Sequence, residues 1–413
     1  MVFEKAAKNN DEQIKCLADF SATEIASICE NIGPRPCGED GERQAQNYLL
    51  GKISEFADEA HRETYEVHPK AFMGFVPVAG SMLIGATAAN LVSAFKKKAA
   101  AIASVSLVGG ALTTVVEEFA LYHEFLDRFY PKKTSGNVYA VRKASGETKR
   151  RIIISGHTDS APEWTYTYKL GSHGVVVVAA YALTGLAYTA VTSILSLVMK
   201  NRALVKKLAL GQTVFLPAYG LLFRFANHDR YVDGANDDLT GTMTAFSVLK
   251  YLSDNDVRFE NTEVIALLAG GEEAGLRGSK AFFKAHPEYV NDGVETVFVG
   301  FDTIRDADYM MIYNKDMTGF VKNSDEVSFL LKECAADMGM DVPIGAIPLG
   351  STDAAAASQA GVKAASFVAM DPAPARYYHT RLDTADILEP GTIAKGIELA
   401  IRTVFKFDEK GLN

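Results

Sequence analysis

Short apolar runs alternate with amphipathic stretches along the second half of the chain. Four runs are each followed by a polar loop: RRIIIS (150–155), NTEVIALLA (261–269), ETVFVGFD (295–302) and VKAASFVAMD (362–371). Between and after them, apolar residues recur at helical spacing in residues 241–254, 276–286, 324–339 and 390–407. This alternation predicts an α/β fold with a mixed, mainly parallel sheet covered by helices on both faces.

Two further helices are predicted near the N-terminus. The first is expected to begin at Ser21, with Ser21 as its N-cap and Glu24 completing a capping box. The second lies within residues 41–60, where apolar side chains recur at helical spacing. The sequence GPRPCGEDG (33–41) between them is rich in turn-forming residues and predicts a connecting loop.

Two segments depart from this pattern because they are almost purely apolar. Residues 71–116 contain a long uncharged run, the basic triplet Lys96-Lys97-Lys98 and a second apolar run. Residues 174–223 repeat the arrangement around the basic link KNRALVKK (200–207). The longer run of each pair exceeds the roughly 18 residues that suggest a membrane span, whereas the second run is marginal. Each segment therefore predicts an inserted apolar helical hairpin.

These hairpins favour association with a membrane. Their basic tips satisfy the positive-inside rule when both tips are cytoplasmic, and the rest of the chain then lies outside the cytoplasm. The alternative is a cytoplasmic protein whose hairpins pack on each other or form a dimer interface. The polar N-terminal sequence, MVFEKAAKNNDEQIKCLADF, lacks the apolar region of a cleavable secretory signal.

Composition excludes several classes of protein. Hydrophobic residues make up 48% and charged residues 23% of the 413 residues, which indicates a globular chain. The formal net charge of -9 argues against nucleic acid as a partner, because phosphate binding needs a concentrated basic surface. The cysteines have neither the CxxC spacing of a zinc or redox site nor the density of a disulfide framework: Cys16, Cys29, Cys37 and Cys334.

Residues suited to metal binding stand at the ends of the predicted strands. The first strand leads into Gly156-His157-Thr158-Asp159, in which an imidazole can bind a metal while the carboxylate orients its other N–H group. An isolated histidine is more often structural, so this motif alone is weak. Asp237 and Asp238 precede the 241–254 helix, where adjacent acids commonly cap a helix but also suit a bridging metal ligand.

Two more strand ends complete the series. Glu272 and Glu273 follow the 261–269 strand and would repel each other unless cations neutralise them or their roles differ. One can bind metal while the other takes a proton from water, although an exposed acidic turn is the simpler alternative. Asp302 ends a third strand, and His379 lies in YYHTRLDT (377–384). Because functional groups gather beyond the carboxyl ends of parallel strands, this ordered series predicts one site.

The motifs GHTDS, GANDDLTG, GGEEAGLRGS, FD and YHTRLDT resemble those of the two-zinc exopeptidases, which include secreted bacterial leucyl aminopeptidases and glutamate carboxypeptidase II. The resemblance covers about residues 20–70, 134–160 and 232–405, and STDAAAASQAG (351–361) is similar to a loop and helix near the family's substrate pocket. It implies a three-layer phosphorylase/hydrolase-like fold with two inserted hairpins. The implied zinc exopeptidase domain comprises residues 1–70, 117–173 and 224–413, and the insertions are 71–116 and 174–223.

The family's metal ligands carry over onto matching positions. His157 and Asp302 would bind one Zn²⁺ ion, and Glu273 and His379 would bind the other. Asp237 would bridge the two ions. The same nitrogen and oxygen ligands also accept cobalt or manganese, so other divalent metals are possible.

The resemblance also implies the reaction. Glu272 would be the general base, and Asp159 would orient His157. The implied activity is hydrolysis of the terminal bond of a peptide substrate by water held between two zinc ions, and an aminopeptidase is favoured over a carboxypeptidase. Because the second insertion separates His157 from Asp237, we expect both ends of the insertion to lie beside the active site. We therefore expect the substrates of the enzyme to be membrane-proximal or apolar peptides.

Two other functions stay open. A glutaminyl-cyclase-like aminoacyl transferase uses a related fold with one zinc ion, and the number of zinc ions per chain discriminates it from a two-zinc peptidase. The other is a catalytically silent membrane scaffold with the same fold. The complete set of ligands argues against it, because receptors of this type lack ligands, but fold alone does not settle activity.

Overall fold

The apolar runs of the sequence form strands in the computed structural model, which describes residues 3–6, 10–95, 98–316, 320–347, 350–373 and 375–412. The strands are β1 (Glu59–Val67), β2 (Lys133–Arg142), β3 (Arg150–His157), β4 (Pro162–Trp164), β5 (Ala226–Tyr231), β6 (Thr262–Ala269), β7 (Glu295–Ile304), β8 (Met310–Asp316), β9 (Val321–Lys322), β10 (Ile344–Ile347) and β11 (Lys363–Ala369). The four runs predicted as strands correspond to β3, β6, β7 and β11.

The amphipathic and apolar stretches form helices. They are α1 (Asn10–Asn31), α2 (Asp40–Ile53), α3 (Ala71–Ser93), α4 (Lys98–Thr114), α5 (Thr165–Leu170), α6 (Gly174–Val198), α7 (Arg202–Gln212), α8 (Leu216–Leu222), α9 (Leu239–Asp254), α10 (Arg277–Ala285), α11 (Glu288–Asn291), α12 (Asp325–Asp337), α13 (Asp353–Ala360) and α14 (Pro390–Lys410).

The described residues divide into two units. The first unit comprises Met1–Pro69, Lys132–Pro162 and Tyr231–Asn413, and the second comprises Lys70–Pro131 and Glu163–Arg230. Each segment of the second unit contains one of the two predicted hairpins. The second unit is therefore built from two stretches that interrupt the first.

One mixed sheet organises the first unit. Within the described residues its strands follow the order β1-β2-β6-β3-β7-β11-β8-β10, and β9 pairs with β8. The central strands β6, β3, β7 and β11 run parallel. The outer pairs β1–β2, β2–β6 and β11–β8 are antiparallel. This topology confirms the predicted mixed sheet, and it brings the carboxyl ends of the parallel strands to one edge.

Helices cover both faces of this sheet. Helices α1, α2, α9, α12 and α14 pack on the sheet in the larger core, and α10 and α13 pack on it in the smaller one. Ile152 and Ile154 of β3 belong to the larger core while Ile153 belongs to the smaller one. Successive side chains of a strand point to opposite faces, so the two cores lie on the two sides of the sheet. The three-layer prediction is confirmed.

The first helix begins earlier than the sequence predicts. Helix α1 begins at Asn10, so Ser21 lies inside it, and the prediction of an N-cap at Ser21 was wrong. The buried Ser21 hydroxyl lies 3.1 Å from the hydroxyl of Ser247 in α9. Glu24 accepts hydrogen bonds from Tyr48 at 2.7 Å and Lys52 at 2.9 Å. Tertiary partners thus satisfy both side chains, which frees them from the capping role that their spacing suggested.

The second unit contains long apolar helices. Among the described residues, three helices are long and apolar enough to cross a membrane: Ala71–Ser93, Lys98–Ala120 and Gly174–Val198. The first predicted hairpin is present as α3 and α4, and α4 continues to Ala120 through a π-helical turn. Lys96 and Lys97 of its predicted tip lie outside the described residues. In the second hairpin only α6 is long, because the return path divides into α7, a short 3₁₀ turn and α8.

Candidate metal centre

The predicted ligands converge where the parallel strands end. His157 is the last residue of β3, Asp302 lies near the end of β7, and Glu272 and Glu273 follow β6. Asp237 lies in the loop that enters α9. Because β6, β3 and β7 are parallel neighbours, their carboxyl ends bring these side chains to the same edge of the sheet.

Asp237 lies between two histidines. Its Oδ1 is 3.3 Å from Nε2 of His157, and its Oδ2 is 3.1 Å from Nε2 of His379. Oε1 of Glu273 is also 3.1 Å from Nε2 of His379. Ligand atoms of His157, Asp237 and Glu273 all lie within 4.8 Å of one another. One carboxylate therefore reaches both imidazoles through different oxygens, as a bridging ligand must.

Asp302 approaches the His157 side of this cluster. Ligand atoms of His157, Asp238 and Asp302 lie within 4.8 Å of one another. Asp238 is committed to the backbone, because Oδ2 accepts the His157 N–H at 2.9 Å and Oδ1 accepts those of Gly241 at 2.8 Å and Thr303 at 3.2 Å. The peptide bond between Asp237 and Asp238 is cis. Asp302 is therefore the better placed of these two acids for a cation beside His157.

Asp159 holds the turn that carries the two glutamates. Its Oδ1 accepts the backbone N–H of Glu272 at 3.0 Å, and its Oδ2 accepts that of Glu273 at 3.2 Å. Oδ1 also lies 3.4 Å from Nδ1 of His157. Oε2 of Glu272 is 3.9 Å from Nε2 of His157, so this carboxylate lies at the cluster but not in hydrogen-bonding contact with the imidazole.

The residues present fit a divalent metal. Imidazole nitrogens and carboxylate oxygens are the ligands that zinc and similar ions accept. Oδ2 of Asp237 and Oε1 of Glu273 are buried, and within the described part of the chain neither accepts a hydrogen bond of good geometry. Both oxygens face the same imidazole nitrogen, Nε2 of His379, and a cation placed among them would neutralise the two buried carboxylates.

The charges of the cluster also favour a cation. Burial, followed by the neighbouring Glu273, raises the pKa of Glu272 well above its usual range, and burial and Asp237 raise the pKa of Asp302 to about 7. Burial would lower the pKa of His379, but Glu273 and Asp237 instead raise it to about 10. Buried carboxylates therefore outweigh the buried imidazoles, and the site attracts positive charge.

Comparisons with known proteins identify a family for the second half of the chain. Residues 220–404 match the model of Peptidase family M28. Residues 220–404 therefore correspond to a peptidase family M28 domain. This confirms the resemblance to two-zinc exopeptidases. A search of curated proteins found no match.

Solved structures share the fold of the M28 domain. The chain is similar to the aminopeptidase from Aneurinibacillus sp. strain AM-1, with 14% identity over 96% of this chain and 95% of that one and a TM-score of 0.56. It is similar to a zinc aminopeptidase from Bacillus subtilis, with 12% identity, 94% of each chain covered and a TM-score of 0.55. Glutaminyl cyclase from Porphyromonas gingivalis has 12% identity, 95% and 98% coverage and a TM-score of 0.51.

Arg35 holds the loops around the candidate site, although no sequence motif pointed to it. It is fully buried, and its Nε donates to the carbonyl of Thr158 at 2.7 Å while Nη2 donates to that of Gly234 at 2.9 Å. Its own backbone N–H donates to Oγ of Ser160 at 2.9 Å. Arg35 thus joins the loop after β3 to the loop before α9. The only sequence signal for Arg35 was its place in a turn rich in glycine and proline, because its hydrogen-bond partners are distant in sequence.

Asp383 is a second residue that was missed. Its Oδ1 accepts the backbone N–H of Asn236 at 2.8 Å, and its Oδ2 accepts that of Asp237 at 3.0 Å. Asp383 follows His379 in the same loop, so it joins the segments that carry two of the predicted ligands. The M28 motif YHTRLDT contains this aspartate, and its presence beside His379 was the available signal.

Asp353, the first residue of α13, lies within electrostatic range of the cluster. It is buried, and burial raises the pKa of its carboxyl group to about 6. Its charge in turn raises the pKa values of Glu272 and Asp302. The sequence resemblance placed this loop near the substrate pocket of the family, and the structure places its aspartate close to the predicted ligands.

Proposed function

We propose that this protein is a metal-dependent exopeptidase, specifically an aminopeptidase that hydrolyses the N-terminal bond of a peptide. The observation that carries the proposal is the position of Asp237 between the imidazoles of His157 and His379. The M28 domain supports a metallopeptidase, and similarity to two structures that are named aminopeptidases favours this kind of exopeptidase.

We assign the ligands to two zinc ions. His157 and Asp302 would hold one ion, Glu273 and His379 the other, and Asp237 would be shared. Zinc bound there would act as a Lewis acid that lowers the pKa of water and polarises the scissile carbonyl. The ligand type also accepts other divalent metals, so the identity of the ion depends on what the cell supplies.

Glu272 is the proposed general base. Its carboxylate lies at the edge of the ligand cluster, and Asp159 fixes its backbone N–H. Glu272 accepts a proton from the attacking water and returns it to the leaving amine. Burial, which raises the pKa of Glu272, favours holding that proton until the peptide bond breaks.

A glutaminyl-cyclase-like aminoacyl transferase is the second candidate. The similarity to glutaminyl cyclase from Porphyromonas gingivalis is the observation that favours it. The ligands for two metal ions are present together in this chain, which argues against a transferase that uses one zinc ion. A catalytically silent scaffold is the third candidate, and the full ligand set argues against that as well.

One set of assays separates these functions. Aminoacyl anilides, acyl-dipeptides and peptides with N-terminal glutamine are tested with zinc, after chelation and after zinc is restored, and bound zinc is counted. We expect release of N-terminal residues, loss on chelation, recovery with zinc and two ions per chain. Cyclisation of glutaminyl peptides with one ion would establish the transferase instead. Two bound ions without turnover of any substrate would establish the scaffold.

We further propose that the second unit associates with a membrane and that the M28 domain lies outside the cytoplasm. Three helices of this unit have the length and composition of membrane spans. Basic residues between α6 and α7 and at the start of α4 match the cytoplasmic ends expected from the positive-inside rule. A cytoplasmic protein with a dimer interface is the alternative.

A further inference from the structure

The second unit is apolar on its outside. Among the described residues, most of the exposed large hydrophobic side chains belong to this unit, and they occur on each of its longer helices. Examples are Val92 on α3, Ile102 on α4, Val191 on α6 and Leu210 on α7, which are 43%, 50%, 55% and 53% exposed. A water-soluble bundle turns such side chains inward. Because they occur on all of the longer helices, lipid would accommodate them better than a single protein interface would.

The inside of the second unit carries polar groups. The side-chain amide of Asn90 donates to Ser193 at 3.0 Å and to Gln212 at 2.9 Å. Gln212 donates to Thr87 at 2.6 Å, and the hydroxyls of Ser104 and Ser193 are 2.6 Å apart. These buried bonds join α3, α4, α6 and α7. Small polar residues that hydrogen-bond between helices are typical of bundles that pack in lipid.

Basic residues collect at one end of this bundle. We call this group the basic end: Lys98, Lys200, Arg202, Lys206 and Lys207. Lys98 begins α4, and the others occupy the link between α6 and α7 and the first turns of α7. Nζ of Lys206 lies 5.7 Å from the ring centre of Phe95, just beyond α3. The two basic connections are therefore neighbours in space.

No acidic residue of the apolar segments balances the basic end. Residues 71–116 and 164–228 contain neither Asp nor Glu, although the whole chain has a net charge of -9. The nearest acids along the chain, such as Glu117 and Glu163, lie at or beyond the opposite ends of the helices. At 1.5 Å per residue, the path from Lys98 to Glu117 along α4 is about 28 Å, well beyond the roughly 10 Å over which charges act in salt.

We propose that the basic end binds the anionic headgroups of the leaflet that the apolar helices reach. The 23 residues of α3 and the 25 residues of α6 extend about 34 Å and about 37 Å, which suffices for a hydrocarbon core of roughly 30 Å. Their basic ends then enter a headgroup layer whose phosphates supply the missing negative charge. This inference rests on the proposed membrane association and is independent of the proposed peptidase activity.

Lipid quenching of a fluorescent residue tests the proposal on the full chain. Trp164 is the only tryptophan, so Phe95→Trp in a Trp164→Phe background places one fluorophore at the basic end. This protein is reconstituted into phosphatidylcholine vesicles that contain brominated phosphatidylcholine or brominated phosphatidylglycerol. We expect the anionic lipid to quench roughly threefold more strongly or better, and high salt to weaken that preference.

A charge variant and a matched control make the test specific. Lys200→Gln, Lys206→Gln and Lys207→Gln together remove three of the five charges and should markedly reduce the preference for phosphatidylglycerol. Lys149→Gln, Lys284→Gln and Lys395→Gln remove the same charge from exposed positions of the first unit and should leave the preference intact.

The outcomes separate this proposal from those it rests on. Equal quenching by both lipids in the starting protein, or an unchanged preference in the basic-end variant, would overturn the headgroup proposal. Failure to enter either vesicle would overturn the membrane association and the headgroup proposal with it. Aminopeptidase turnover, measured on the same vesicles, reports on the proposed reaction independently.

Discussion

The proposed ligands are held in place by neighbouring side chains and by the backbone. Asp383 accepts the backbone N–H of Asp237, and Asp238 accepts that of His157. His379 has a backbone φ of 52°, a left-handed conformation that non-glycine residues rarely adopt. Such conformations persist where the surrounding structure enforces them, and they recur at functional sites. The position of His379 therefore depends on its neighbours as much as on its own preference.

Replacing Glu272 separates metal binding from proton transfer. Glu272→Gln keeps the size of the side chain but cannot accept the proton of water, so we expect kcat to fall by roughly 10²- to 10⁴-fold. The zinc content should stay at the wild-type value, because Glu272 is not a proposed ligand. Steady-state kinetics and metal analysis on the same sample measure both. Glu273→Gln is the contrasting variant and should lose zinc. A near wild-type rate for Glu272→Gln would refute its assignment as the base.

Zinc binding should strengthen as the pH rises. Against the opposing effect of burial, Glu273 and Asp237 raise the pKa of His379 to about 10, so at pH 7 its imidazole holds a proton that a ligated cation must displace. At pH values below that pKa, the apparent affinity for zinc rises by up to roughly tenfold with each unit of increasing pH for each proton that zinc displaces. Calorimetry at pH 7 in two buffers with different ionisation enthalpies should detect the released protons. Binding without proton release would contradict the assignment.

Arg35 provides a test of positioning at a distance from the metal. Arg35→Gln should weaken zinc binding by roughly 10- to 100-fold, because the loops that carry two ligands lose their common donor. Arg142→Gln is the matched control, since Arg142 is also buried and its Nε donates to the carbonyl of Val257 at 2.7 Å. Both variants should lose about 1–3 kcal/mol in urea denaturation. Equal zinc affinity in the two variants would leave Arg35 with a merely structural role.

The first turn of α9 joins the strands that carry the site. Asp238, its N-cap, accepts N–H groups from the end of β3, from α9 itself and from β7. Thr242 donates to the carbonyl of His157 at 2.7 Å, and Thr240 accepts the N–H of Ile304 at 2.9 Å. These bonds keep β3, α9 and β7 in register at the edge where His157 and the β7 carboxylate meet.

Removing this cap should affect both stability and metal binding. Asp238→Ala leaves three buried N–H groups without their acceptor, which should cost about 2–4 kcal/mol and weaken zinc binding. Ser324→Ala is the matched control, because Ser324 caps α12 by accepting the N–H of Val327. It should cost about 1 kcal/mol and leave zinc affinity unchanged. If Asp238→Ala does not fold, Asp238→Asn, which keeps one acceptor oxygen, gives the comparison. Unaltered zinc affinity in a folded Asp238 variant would contradict this role.

The two units of the chain differ in the surface that they present. The first unit buries its apolar residues in two cores around the sheet, whereas the second exposes many apolar side chains and buries polar ones beside a smaller apolar core. Water suits the first pattern and lipid the second. The chain therefore combines the candidate metal site with a unit whose exposed surface is largely apolar.

The full-length protein should fractionate with membranes. Its exposed apolar helices would aggregate in water, so we expect it to resist extraction by alkaline carbonate and to require detergent. Ultracentrifugation of cell lysates followed by carbonate and detergent treatment measures this. A monodisperse protein that stays in the soluble fraction without detergent would contradict membrane association and favour the cytoplasmic alternative.

Local patterns predicted the strands well and some helix limits poorly. Apolar runs identified β3, β6, β7 and β11 because each is buried on both faces of the sheet. The run after the second basic link, which was marginal as a membrane span, forms shorter helices instead of one long helix. It contains Pro217, which lacks a backbone N–H and lies at the start of α8. The prediction of an N-cap at Ser21 was wrong because the hydroxyl partner of Ser21, Ser247, lies on an element that is distant in sequence.

The order of the motifs was enough to bring one set of candidate ligands together. Parallel strands end at one edge of a sheet, so residues that follow such strands must meet. The tertiary structure decided how adjacent acids divide their contacts: Asp237 reaches the imidazoles, while Asp238 accepts backbone N–H groups. It also revealed Arg35 and Asp383. Hydrogen bonds are short and directional, so partners far apart in sequence leave no local pattern from which the chain alone could predict them.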